Sequence, residues 1–273
     1  MRKTYRQTSV HKYWENRWSA VPIDEPMKNT SVYPLNSSLL ALHYGNWDKH
    51  DIRILEAGCG LGRIVRFFHD RDYEIKGVDF SENAIGKIKT DHPDLDVSVE
   101  NVLALNVRDE IFTHVLAFGL YHNFEESDLT RAINETHRIL KTNGILCASF
   151  RADNINNLLL DKFLNSPLGR HGHRTGNDNT LKIFHKINLS EKELRIIFED
   201  NGFEVLEIKS VVNMPLLYKF SMFRHKEQKE FDEKESRNVG YKLNLVGRML
   251  FNFMFGIAPK HFCNLYCVVA RKT

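Results

Sequence analysis

The 273-residue chain is 42% hydrophobic and 27% charged, with 15 Gly and 7 Pro, which excludes disordered, collagen-like and coiled-coil architectures and suffices for a substantial core. Lys and Arg number 38 against 35 Asp and Glu, and this net charge of +3 is too balanced for a chain whose main task is to wrap nucleic acid. The distribution is uneven: residues 211–273 hold 11 Lys/Arg and 5 Asp/Glu, a balance of +6, so an anionic partner is expected to meet the C-terminal part.

Near the N-terminus, HKYWENRW places Trp14 and Trp18 at i, i+4, on one face of a helix, and the proline-bearing stretch that follows reads as a lid or linker. From Ile52 to Phe150, short apolar runs alternate with helical patterns, as parallel strands joined by crossover helices require. IRILEA (52–57) predicts a buried strand, GRIVRFFHD a helix, EIKGVD (74–79) a second strand, and Ser81 the N-cap of a helix reaching Lys89. DVSVE (96–100) and THVLAFGL (113–120) are the third and fourth strands. Leu129, Ala132, Ile133, Thr136, Ile139 and Leu140 recur at helical spacing, Asn143-Gly144 is expected to close that helix, and ILCASF (145–150) is the fifth strand. Residues 153–186 are expected to form a long polar loop, Ser190 and Glu193 a capping box, and FEVLEI (203–208) and FCNLYCVVA (262–270) the last two strands.

Between those two strands lies a charged segment and then an aromatic run, in which Leu243, Val246, Leu250, Phe253 and Met254 recur at helical spacing. The expected organisation is an N-terminal lid segment (1–50), an α/β core (51–210 and 262–273) containing an active-site loop (153–186), and a cap insertion (211–261). Cys59, Cys147, Cys263 and Cys267 form no CxxC pair, Met1 precedes RKTYRQ rather than an apolar leader core, and no uncharged apolar run reaches the ~18 residues of a spanning helix. The expectation is a cytoplasmic chain without disulfides.

The sharpest local signal is ILEAGCGLGR, in which Glu56, Gly58, Gly60 and Gly62 follow a strand and open a helix. Glycines there permit a tight turn and bring a ligand close to the free N–H groups of a helix start. Dinucleotide folds use G-x-G-x-x-G/A at this place, and Arg63 at the sixth position argues against a nicotinamide cofactor. Asp79 ends the second strand 17 residues after Gly62, where its carboxylate can accept hydrogen bonds from both ribose hydroxyls of a nucleoside and disfavours a 2′-phosphate.

Together these residues resemble the class I S-adenosylmethionine-dependent methyltransferases, over about residues 50–210 plus the last strand. The resemblance implies a Rossmann-like, seven-stranded, mostly parallel sheet with an antiparallel last strand, flanked by helices. It implies S-adenosylmethionine as cofactor and S-adenosylhomocysteine as product. Glu56 and the loop of Gly58, Cys59, Gly60 and Gly62 would hold the methionine end, and Asp79 the ribose, with Phe80 beside the adenine. The family usually has Asp after the third strand; here Asn101 stands there, next to Val102, and its carbonyl oxygen can accept from the adenine amine. Phe118 and Gly119 would lie near the cofactor, with Tyr121 and His122 facing the acceptor as the candidate catalytic pair. His122 would serve as general base from an ordinary pKa of ~6.5. Trp14 and Trp18 resemble the N-terminal helices that close over the cofactor in small-molecule members.

The run GRHGHRTG gathers Arg170, His171, His173 and Arg174, with Arg170, His173 and Arg174 as candidates for recognising a carboxylate or phosphate on the acceptor; a solvated basic loop is the alternative, and no metal set is implied. The helix within 240–258 fits three roles: capping an apolar acceptor, resting on an anionic membrane surface, or forming a dimer seam. The expected function is methyl transfer from S-adenosylmethionine to an O or N atom of a small molecule, with anionic and lipophilic acceptors both open. The alternatives are an RNA or protein methyltransferase, a non-catalytic cofactor-binding scaffold, and a nicotinamide-dependent oxidoreductase. No N/D-P-P-Y/F motif or basic stripe points to nucleic acid.

Overall fold

In the computed structural model, residues 1–6, 10–23, 32–164, 183–230 and 240–273 are described. In chain order the elements are β1 (Arg2–Arg6), α1 (Val10–Ala20), α2 (Val32–Leu42), β2 (Arg53–Ala57), α3 (Arg63–His69), β3 (Glu74–Asp79), α4 (Glu82–Asp91), β4 (Val97–Val99), β5 (Phe112–Ala117), α5 (Glu126–Ile139), β6 (Leu140–Arg151), α6 (Ile155–Leu164), β7 (Ile183–Asn188), α7 (Glu191–Glu199), β8 (Phe203–Val211), α8 (Leu245–Ile257), α9 (Pro259–Phe262) and β9 (Leu265–Lys272). Seven strands form one sheet in the order β4-β3-β2-β5-β6-β9-β8, parallel from β4 to β6, with β9 antiparallel between β6 and β8.

Both faces of the sheet's central strands β2, β5 and β6 are covered, which is why these read as near-continuous apolar runs. Successive residues point to opposite sides: Leu55, Val115 and Leu146 join the core beneath α5, while Ile54, Leu116 and Ile145 join the one beneath α3 and α4. Leu129, Ala132, Ile133, Thr136 and Ile139 are the buried face of α5, as their spacing predicts. The four cysteines are free and buried, and the Sγ atoms of Cys147 and Cys267 lie 3.8 Å apart on neighbouring strands.

Three segments differ from expectation. Asn143-Gly144 does not close a helix: α5 stops at Ile139, and Asn143, with φ of 64°, sits inside β6 where the pairing with β5 shifts register. The expected loop 153–186 contains α6 and β7, and β7 pairs antiparallel with β1 as a separate two-stranded sheet. The stretch read as lid or linker becomes helix from Val32 onward, and α2 packs on β5 and β6.

The strand pairing also places the cap. Val211, the last residue of β8, faces Leu265 at the start of β9, which in turn faces Arg151 at the end of β6. The 212–264 segment therefore leaves and re-enters the sheet at the edge where β2, β3 and β5 end, the edge at which open α/β sheets bind ligands. Among the described residues no helix is long and apolar enough to cross a membrane.

Candidate active site

The loop between β2 and α3 is held by two carboxylates. Gly58, Gly60 and Gly62 all have positive φ (72°, 53° and 68°), and the amides of Gly58 and Cys59 donate to the Val78 carbonyl of β3. Asp79 accepts from Gly60 N through Oδ2 (2.9 Å) and from Ser81 N through Oδ1 (3.0 Å). Glu56 accepts from Val65 N in the first turn of α3 (3.1 Å). Each oxygen of an ionised carboxylate has two lone pairs, so Asp79 keeps acceptor capacity for ribose hydroxyls while orienting the loop.

Burial raises the pKa of both acids. Glu56 is pushed up to about 8, with the charge of Arg63 drawing it part of the way back, and Asp79 is raised by burial against the opposing amides of Ser81 and Gly60. Two desolvated carboxylates at one strand edge make a site that a cationic ligand ionises and stabilises. S-Adenosylmethionine, with an ammonium and a sulfonium, has that character, and these residues fit it.

Helix α1 lies over this loop. His11, Glu15 and Trp18, spaced i, i+4, i+7, share a face: the His11 ring lies 4.8 Å from that of Phe80, Glu15 accepts from the Asn83 amide, and Trp18 covers Gly60. A Cβ on Gly60 would stand 2.8 Å from Trp18 Cζ2, so that position combines positive φ with close approach. Trp14 stacks on Trp18 at 5.4 Å. A shallow pocket between α1 and the start of α4 is lined by His11, Glu15, Phe80, Glu82 and Asn83. Lys87 of α4 fastens the end of α1, donating to the carbonyls of Trp18 (2.6 Å), Ser19 (2.9 Å) and Val21 (2.8 Å). Replacing Lys87 with Ala strips the charge that caps this helix end. The expected result is a shifted tryptophan emission spectrum and a cofactor dissociation constant raised about tenfold, with little change in melting temperature. An unchanged spectrum and affinity would show that α1 docks without Lys87.

Asn101 follows β4 and is exposed, its Oδ1 accepting from Leu103 N (3.0 Å) and so retaining one lone pair for an adenine amine; neighbouring Val102 is buried in the core. Beyond β5, Phe118 meets Tyr33 of α2 edge-on at 6.0 Å, and Gly119 N donates to Ser149 Oγ (2.9 Å). Burial pushes Tyr33 up to about 12.

Tyr121 and His122 part company. Tyr121 does not face an acceptor: its ring is buried beside Phe150 and its hydroxyl is bonded to Thr136 Oγ1 at 2.6 Å, a core role. His122, 5% exposed, has an Nδ1 without a hydrogen-bond partner, and burial together with Lys186 and Arg151 holds its pKa well below the ordinary value. It is a neutral imidazole at pH 7, so the ordinary pKa expected for it does not hold. Arg151 is itself tied to Asp161 (2.7 Å) and Asn188, joining the end of β6 to β7. Arg170, His171, His173 and Arg174 lie outside the described residues.

The sequence reading passed over His11, Glu15, Tyr33 and Lys87. The i, i+4, i+7 spacing of His11, Glu15 and Trp18 carried a signal for the first two, whereas the Lys87 contact, made across 66 to 69 residues, left none.

Residues 54–144 match the family model described as a methyltransferase domain, and the sheet order and the Glu56–Asp79 loop geometry lie within and around that stretch. A probable S-adenosylmethionine-dependent methyltransferase of Mycolicibacterium smegmatis is 26% identical over 152 residues, 56% of this chain and 52% of that protein. The chain thus spans about half the length of the curated relatives it matches. Among solved structures, a putative methyltransferase of Haloferax volcanii, in complex with the Trm112 methyltransferase activator, has a TM-score of 0.59 at 16% identity, over 94% of this chain and 97% of that one. Magnesium protoporphyrin IX methyltransferase of Synechocystis, with bound S-adenosylhomocysteine, has a TM-score of 0.56 at 12% identity, over 97% and 96%. These two likenesses show the fold.

Proposed function

We propose that the protein transfers the methyl group of S-adenosylmethionine to an O or N atom of a small-molecule acceptor in the cytoplasm. The observation that carries this reading is the pair of buried carboxylates, Glu56 and Asp79, at the glycine loop beneath α1. Glu56 would hold the methionine end, Asp79 the ribose and Phe80 the adenine, with Asn101 at the adenine amine. When bound, the cofactor supplies an electrophilic sulfonium methyl with a neutral thioether as leaving group. The protein's task is then chiefly alignment, worth up to ~7–11 kcal/mol in well-oriented intramolecular reactions. His122 is the candidate base, but a weak one: burial, Lys186 and Arg151 disfavour its protonated form, so it would pass on the proton of a hydroxyl or ammonium nucleophile rather than hold it. In this reading Arg170, His173 and Arg174 recognise an anionic group on the acceptor.

Calorimetric titration with S-adenosylmethionine, S-adenosylhomocysteine and NADH tests the cofactor, and turnover on O- and N-nucleophiles of differing charge tests the acceptor. Binding of both adenosyl ligands and not NADH, with turnover whose kcat falls about 100-fold in His122→Ala at unchanged cofactor affinity, is the expected pattern. Binding without turnover on any small acceptor would favour a scaffold, and NADH binding alone would overturn the proposal.

A further inference from the structure

Helix α8 carries six apolar side chains outward. Leu245, Val246, Met249, Phe253 and Ile257 are between 63% and 69% exposed and Leu250 is 39% exposed. At about 100° per residue they occupy a single face roughly 140° wide. Phe220 (41%) and Met222 (72%), on the neighbouring short turns, extend it. The opposite face is already in use: Gly247 is buried against Phe223, whose carbonyl would stand 2.8 Å from a Cβ there, and Phe255 packs on the main core. The helix is therefore seated, Asn244 Oδ1 caps it through Gly247 N (2.8 Å), and its outer apolar face has no counterpart among the described residues. An exposed apolar patch of this kind marks an interaction surface.

Charge selects the occupant. Residues 240–262 contain Lys242, Arg248, Lys260 and His261 and neither Asp nor Glu. Arg248 is exposed and flanks the apolar face beside Leu245; Lys242 and Lys260, at either end, make only exposed ion pairs, with Glu227 (3.8 Å) and Glu191 (2.6 Å), which compete weakly against other anions. A twofold pairing with another copy would set one acid-free, basic-fringed face on its duplicate. Thirteen residues are too few to span a bilayer, but they suit a helix lying in its interface.

We propose that this face docks on a membrane surface bearing anionic headgroups, with α8 in the interfacial plane, its apolar side chains among the acyl chains and Arg248, Lys242 and Lys260 at the headgroups. The inference stands apart from the methyl-transfer reading, since it needs neither cofactor nor acceptor.

The test is co-sedimentation of the full chain with vesicles of phosphatidylcholine alone and of phosphatidylcholine mixed with phosphatidylglycerol. The expected result is salt-sensitive partitioning onto the mixed vesicles, reduced about tenfold or more by Met249→Ser combined with Phe253→Ser and severalfold by Arg248→Glu. Circular dichroism and melting temperature should be unchanged in all variants, because the altered side chains are exposed. No partitioning onto anionic vesicles, or partitioning that the serine pair leaves intact, would overturn the proposal. So would a wild-type dimer that the serine pair dissociates while vesicles stay unbound, which would make the face a seam between copies.

Discussion

Replacing Asp79 with Ala is expected to raise the dissociation constant for S-adenosylmethionine about 100-fold or more, measured by calorimetry, and to lower the melting temperature of the free protein by several degrees. The carboxylate accepts from Gly60 N and Ser81 N, so its removal strands two buried donors, each at a cost of about 1–3 kcal/mol, and releases the loop from the end of β3. The same loop seats Trp18, so the change should also loosen α1. Asp79→Asn is a sharper probe: one acceptor oxygen survives, but its amide group cannot accept from the second N–H. An unaltered titration in either variant would remove Asp79 from the cofactor site.

Glu56→Gln should separate binding from stability. The folded protein holds the Glu56 proton up to about pH 8, whereas an unfolded chain releases it near 4.5. Between those values the folded state binds more protons, so stability falls as pH rises: the contribution is complete below the unfolded value and is lost through the folded one. Gln keeps the neutral form, so the variant should melt higher than the wild type at pH 8, by about 1 kcal/mol or more, with the gap closing toward pH 5. Cofactor affinity should move the other way, because the ligand ammonium loses its counter-charge, and wild-type binding near pH 7 should release a proton that the variant does not. Parallel melting curves across this range would show that Glu56 is ionised in the folded protein.

Much of this architecture was legible because it is local. The order of strands and helices from β2 to β6 follows from apolar runs, most deeply buried in β2, β5 and β6, that alternate with helical spacing, and the glycine loop announces its own backbone geometry. What escaped was either distant or rotational. The β1–β7 pair joins RKTYR to a segment some 180 residues away, and neither strand carries a continuous apolar run. Tyr121 and His122 stand side by side in a loop whose sequence does not say which side chain turns inward. The short 3-10 turn at Tyr121–Asn123 rotates successive side chains by about 120°, sending the phenol to Thr136 and the imidazole toward Arg151 and Lys186. Asn143-Gly144 has the composition of a helix stop, and the same tolerance of positive φ serves equally for an irregular strand.

The pairing of Val211 with Leu265 gives the cap an unusual independence. Its two ends are a single inter-strand spacing apart, sealed by Asn264 N donating to the Val211 carbonyl (2.9 Å) and by Asn264 Oδ1 accepting from the amides of Asn213 and Met214. Whatever is threaded between those ends closes the same hairpin, and closure entropy grows only with the logarithm of its length. The exposed turns within 212–264 can on that ground lengthen or shorten while the register of β8 on β9 stays fixed, with Phe255 and Cys263 keeping the segment packed on the main core. A single chemical engine can thereby be addressed to different destinations by rewriting exposed turns within one contiguous stretch of chain.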